Sequence, residues 1–181
     1  GIEGAEGILV DDLDAAARFM RDLESRARLD RTVEFLPGNA ALRALAQEKL
    51  GLTRPELAVL MAYAKLDLDE QILASALPDD PAFAPLLDSY FPARARAAFG
   101  REPQRHRLKR EIISTMLANM LVNLAGPLFA FRMRELTGAG GAAVTRAFAI
   151  AEGVYGLKDL KTRIDALDGQ AGAETQIALY R

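Results

Sequence analysis

A run of 20 residues without a single charge, 112–131, constrains this chain more than any other feature. Flanked by Lys109-Arg110 and Arg132, it is long enough, as one helix, to cross a bilayer. It also contains Ser114, Thr115, Asn119, Asn123 and Gly126-Pro127. Amides are costly in hydrocarbon without partners. Proline removes a donor and clashes one turn back, so a helix must kink or end at Gly126-Pro127. The run therefore reads as a central, kinked core helix enclosed by other helices, with no membrane partner. Asn119 and Asn123, four apart, fall on one face of that helix. Buried amides there are expected to hydrogen-bond to loop backbone at the kink, ahead of forming a ligand site.

Helical spacing recurs almost everywhere else. Leu13, Ala16, Ala17, Met20, Leu23 and Ala27 form one stripe, with Asp11 and Asp12 as candidate N-caps. Val33, Phe35 and Leu36 run into a Pro37-Gly38-Asn39 turn, and Leu42, Leu45, Ala46 and Leu50 mark a second helix stopped by Gly51. Thr53 and Glu56 have capping-box spacing, and Pro55 sits where a missing N–H costs nothing. The helix they open, 57–66, is apolar on several sides and central. Asp67, Asp69 and Glu70 are expected to open another turn ending near Ala76. Pro78, Pro81, Pro85 and Pro92 break up the next stretch. The long helix is expected to begin near Pro103, and further helices at about 141–154, 157–167 and 172–180. No strand run and no fixed-period repeat is visible. The fold class is all-α, a multi-helix bundle without a substantial sheet. Residues 1–11 read as a linker or the edge of a longer chain. Residues 12–181 read as a helical domain, in one body or in two lobes of about 12–92 and 103–181.

Composition removes whole classes of chemistry. With no cysteine among 181 residues there is no thiolate nucleophile, disulfide or Cys-ligated metal, and one histidine, His106, cannot supply a two-imidazole site. No metal ligand set stands out. The net charge of −2 gives no global pull toward nucleic acid. Locally, Arg94, Arg96, Arg101, Arg105, Arg107, Lys109 and Arg110 are opposed only by Glu102, with His106 among them. This basic run is the candidate interaction surface. It reads first as a solvated helix face or a subunit contact, ahead of a phosphate-gripping nucleic-acid surface, because stacking aromatics are scarce.

Three further patterns carry weaker signals. Gly138-x-Gly140-x-x-Ala143, with Asp159 downstream, matches a dinucleotide fingerprint, yet the chain lacks the parallel sheet that the fingerprint serves. It reads as a helix–helix loop. Asp67-x-Asp69-x-Gln71 resembles the start of a calcium loop but has Ile72 where glycine is required. His106 has no nearby nucleophile with an orienting acid. No catalytic set, cofactor site or metal site emerges from the residues.

Several longer stretches, in order, resemble the large bacterial NAD-specific glutamate dehydrogenases. They are Arg31-Thr-Val-Glu-Phe-Leu-Pro37, Gly51-Leu-Thr-Arg-Pro-Glu-Leu-Ala-Val-Leu-Met-Ala-Tyr-Ala-Lys65, Leu77-Pro-Asp-Asp-Pro81, Tyr90-Phe-Pro92, His106-Arg-Leu-Lys-Arg-Glu-Ile-Ile113 and Asn123-x-x-Gly126. The likeness runs from about residue 12 to the C-terminus. It implies the helical region that follows the catalytic and dinucleotide-binding domains of that family, so the catalytic residues and the nucleotide loop have no counterpart here. Where the family has Arg after the Asn of the kink motif and Thr before its Phe, this chain has Leu124 and Leu128. The resemblance implies a cytoplasmic, oligomeric parent enzyme using NAD to oxidise L-glutamate. This segment would be inactive alone and would support the catalytic core of the same polypeptide, the oligomer or its regulation.

Overall fold

The computed structural model describes residues 12–99 and 102–180, which form ten α-helices joined by turns and three short 3-10 helices, with no strand among them. The helices are α1 (Leu13–Ser25), α2 (Asn39–Gln47), α3 (Arg54–Leu73), α4 (Ala84–Tyr90), α5 (Ala93–Phe99), α6 (Lys109–Ala125), α7 (Phe129–Thr137), α8 (Gly141–Tyr155), α9 (Leu157–Asp165) and α10 (Ala173–Leu179). The all-α reading holds. Residues 1–11, including the expected linker and Asp11, lie outside the described residues.

The uncharged run is two elements rather than one kinked helix. Gly126 adopts φ +88°, and α6 and α7 meet at 91° across Gly126-Pro127. No single helix among the described residues is long and apolar enough to cross a membrane. α6 begins at Lys109, not near Pro103, because residues 102–105 form a 3-10 turn held against α4. There Gln104 donates to the Ala84 carbonyl at 3.2 Å and to Asp88 at 3.0 Å. α6 lies against α3 along most of its length, and α8 packs on both. Its buried side is Ile113, Ser114, Leu117, Ala118, Leu121 and Val122, while Ile112 and Met116 are only half-buried. When a helix is apolar on adjoining faces, its periodicity cannot say which face goes inward. Asn123 is exposed and Asn119 half-buried, and neither amide hydrogen-bonds to loop backbone among the described residues. The run ends in a right-angle turn, so the Asn side is not enclosed.

α3 runs unbroken for 20 residues, so Asp67, Asp69 and Glu70 lie inside it rather than opening a new turn. No glycine or proline interrupts that stretch, and the carboxylates find cations and a hydroxyl across the fold (below). The Thr53–Glu56 start is as expected: the Glu56 carboxylate accepts from the Thr53 N–H at 2.7 Å and from its hydroxyl at 2.8 Å. Asp12 occupies the N-cap position of α1 without a side-chain cap bond, because its carboxylate pairs with Arg132 of α7. Asp80 does cap a turn, accepting from Ala82 N–H at 3.0 Å.

Three helical turns close through residues other than glycine. Ala27, Phe35 and Lys49 have φ of +53°, +54° and +56°. After α1 the Arg28 N–H reaches back to the Leu23 carbonyl at 2.9 Å, and after α2 the Leu50 N–H reaches the Leu45 carbonyl at 2.8 Å. Both are the six-to-one bonds of a Schellman stop. Hence α2 ends at Gln47, before the expected Gly51, and Leu50 is left half exposed. One hydrophobic cluster extends from Leu13 to Phe148, with Phe19 against Phe131 at 5.3 Å and Phe129 against Phe148 at 5.6 Å.

Candidate functional site

The basic run does not form one surface. Arg110 turns inward: its guanidinium pairs with Asp79 and donates to the carbonyls of Leu73 and Ser75 at 2.8 and 2.9 Å, closing the C-terminal end of α3. His106 is exposed. Its Nδ1 accepts from the Leu108 N–H at 3.2 Å, and its ring lies 5.7 Å from Phe91. Arg94, Arg105 and Arg107 are exposed and Lys109 half-buried, all without an ion-pair partner among the described residues. The side chain of Arg96 and all of Arg101 lie outside the described residues. The structure thus leaves four of these cations open and assigns one to holding the fold.

A denser polar centre lies elsewhere, on residues that sequence reasoning passed over. Asp67 is 9% exposed, in the middle of α3. One carboxylate oxygen accepts from Arg26 at 2.6 Å. The other accepts from Gln71 Nε2 at 2.8 Å and from Arg134 at 3.3 Å. Arg26 also holds Asp22 at 2.6 Å. Burial works against the charged Arg26, but its bonds to Asp67 and Asp22 outweigh that and keep its pKa above the ordinary value. Gln71 then passes the network on, its Oε1 accepting from the Gly141 N–H at 3.2 Å. One buried carboxylate therefore ties together the end of α1, the middle of α3, the end of α7 and the start of α8. The only hint in the sequence was the spacing dismissed as an incomplete calcium loop. Inside a helix those acids cannot wrap a cation, and no group of three or more metal-ligating side chains gathers among the described residues.

Over this centre opens a cleft of about 560 Å³ between α1, α7 and the α7–α8 turn, with Arg18, Arg21, Asp22, Arg134 and Glu135 on its walls. Glu135 holds Arg18 through two bonds, at 2.8 and 3.0 Å, which raises the Arg18 pKa. Arg18, Arg26 and Arg134 thus pair with Glu135, Asp22 and Asp67. Arg21, on the cleft wall, adds a cation without an ion-pair partner among the described residues. The cleft offers hydrogen bonds and charge. The described residues place no nucleophile with an adjacent base within it.

The glycine-rich turn beside it is the expected helix–helix loop, joining α7 to α8. Gly138, at φ +71°, ends α7, and Gly140 precedes α8. A Cβ on Gly141 would stand 2.6 Å from Gln71 Oε1. The space left by the missing side chain at Gly141 is filled by Gln71. Asp159 is exposed in the first turn of α9.

Fold and site together define a helical domain organised around a buried carboxylate and its arginines. Residues 49–181 match the family described as glutamate dehydrogenase, C-terminal, and the chain belongs to it. It is 44% identical over 162 residues to an NAD-specific glutamate dehydrogenase of Pseudomonas aeruginosa. Similar enzymes of Halomonas elongata and Mycobacterium tuberculosis are each 38% identical, over 162 and 154 residues. These alignments take in 85–90% of this chain and 10% of each relative, so the chain spans about a tenth of their length.

Proposed function

We propose that this chain is a non-catalytic helical segment of a large NAD-dependent glutamate dehydrogenase. The parent polypeptide would oxidise L-glutamate with NAD and water to 2-oxoglutarate, ammonia and NADH, in the cytoplasm and as a homo-oligomer. This segment would brace the catalytic core or the assembly. The supporting observation is the outer face of α8. The helix buries Val144, Thr145 and Phe148, yet Ile150 and Val154 on its other side are 60% and 69% exposed, with Ala143 and Ala147 on the same stripe. A helix apolar on both faces is suited to being covered on both. The test is glutamate-dependent NADH formation by the parent polypeptide, by the parent lacking residues 12–180, and by the segment alone. Activity in the parent, impairment on deletion and silence of the segment are expected. A parent without glutamate-dependent NADH overturns the reading.

A second reading rests on Arg94, Arg105, Arg107 and Lys109, which have no carboxylate partners among the described residues. It makes the segment an interaction module for an acidic partner or nucleic acid, whose affinity would fall steeply with salt. Salt-indifferent binding would remove it.

A further inference from the structure

The turn between α1 and α2 is tied down more thoroughly than its position on the surface requires. Arg31 grips Glu24 through two bonds at 2.8 and 2.7 Å and reaches the Pro37 carbonyl at 3.3 Å and Asn39 at 3.0 Å. Asp30 accepts from the N–H groups of Thr32 and Val33 at 2.9 and 3.3 Å. The Leu36 N–H closes back on the Arg31 carbonyl at 2.9 Å, and Leu29 and Leu36 are buried beneath. Tyr63 of α3 donates to Glu34 at 2.8 Å.

This scaffold holds Phe35 in the left-handed region, at φ +54°, with 89% of its surface in water. A bulky side chain at such a φ is a genuine outlier, and strain of this kind persists only where surrounding bonds impose it. The same bonds give no shelter to the ring. Val33, 66% exposed, stands beside it, and Leu66, 59% exposed, lies one turn along α3 from Tyr63. Together these make an outward apolar knob on a rigid base.

Around the knob Glu24 is paired with Arg31 and Glu70 with Arg28, while Glu34 accepts from the neutral Tyr63 hydroxyl and keeps its charge. The surface that matches the exposed Phe35, Val33 and Leu66 themselves is apolar. A second copy of this chain is a poor fit. The depression beside the knob, about 170 Å³ between Leu23, Ala27, Tyr63 and Leu66, is rimmed by the Arg28–Glu70 pair, which an incoming Phe35 would have to displace. Nine-tenths of the length of the relatives lies beyond the region this chain matches. Val33 and Phe35 also precede residues 49–181, the stretch matched as C-terminal.

We infer that Phe35, with Val33 and Leu66, is a preorganised anchor that inserts into an apolar pocket on the remainder of the same polypeptide. This rests on the reading above that the chain is a segment of a larger enzyme. Aromatic anchors in desolvated pockets are where interface energy concentrates, and a turn already locked in its bound shape loses little entropy on docking.

The test uses the full-length parent with the photo-reactive residue p-benzoylphenylalanine in place of Phe35, mixed with a differently tagged copy so that links within and between chains are told apart. Links within one chain, to a segment outside residues 12–180, are expected. Links between chains, or no protein link at all, overturn the proposal. In parallel, Phe35→Asn keeps the left-handed turn, which asparagine tolerates, while removing the ring. It is expected to speed proteolytic release of this region from the rest of the parent about tenfold, the effect of losing one interface anchor. An unchanged release rate also overturns it. Neither measurement reads glutamate oxidation, so an inactive parent with an intact intrachain link would sink the enzymatic reading and leave the anchor standing.

Discussion

The Asp67 centre and the basic run of residues 94–110 are both arginine-rich, and the fold uses them in opposite ways. At Asp67 the cations come from distant positions, Arg26 and Arg134, and meet one buried carboxylate. In the basic run the cations are neighbours in sequence, and all but Arg110 of those described point to water or stay local. A dense run of like charge repels itself and stays solvated. Charges spread through the sequence and gathered on one carboxylate can cross-link helices. Charge density along a chain is thus a poor guide to where charge holds a structure together.

That contrast can be broken at its strongest point first. Asp67→Ala leaves two partly buried guanidiniums facing each other and is expected to cost about 3 kcal/mol, read by denaturant unfolding. A cost near zero would mean that the centre is surface decoration. Arg110→Ala removes a charged donor from two carbonyls and should cost about 1–2 kcal/mol. Its neighbour Arg107→Ala should stay within about 0.5 kcal/mol. Equal effects would erase the distinction drawn inside the basic run. Gly141→Ala pushes a methyl toward Gln71 and costs about 1 kcal/mol through the lost Gln71–Gly141 bond. Gln71→Ala made together with it should show that the two costs do not add.

The smallest expected effect is a matter of pH and sits two residues from Asp67. Asp69 has no ion-pair partner among the described residues. Burial raises its pKa, against a hydrogen bond from Thr115 at 3.1 Å and with a push from the Glu111 charge. A carboxylate whose folded pKa is raised binds its proton more tightly when folded. Its ionised form therefore costs stability at neutral pH, and that cost fades as pH falls through the raised value. Asp69→Asn should stabilise the fold slightly at pH 7 and have no effect in acid. A benefit at both pH values would point to packing rather than charge.

Much of the architecture was legible along the chain. The Thr53–Glu56 box, Gly126-Pro127 as a break, the turn from Gly138 to Gly140 as a helix–helix loop and the Leu13–Leu23 stripe all depend on contacts within a few residues. The expectations that missed share one cause. The start at Pro103, the stop at Gly51 and the separate turn at Asp67 were each decided by partners far away or by a left-handed residue that is not glycine. Lys49 and Ala27 give no composition signal for the stops they make.

What the sequence by itself determined is the class: local propensity, punctuation and a 20-residue uncharged run admit only a helical body, and the order of its motifs points to one family. What only the tertiary structure decided is which polar groups do work in it. Whether a carboxylate is buried, an arginine paired or a phenylalanine left in water depends on neighbours 40 to 70 residues away, such as Arg26, Gly141 and Arg134 around α3. Their interaction depends on distance in space, and distance in space is set only once the helices have packed.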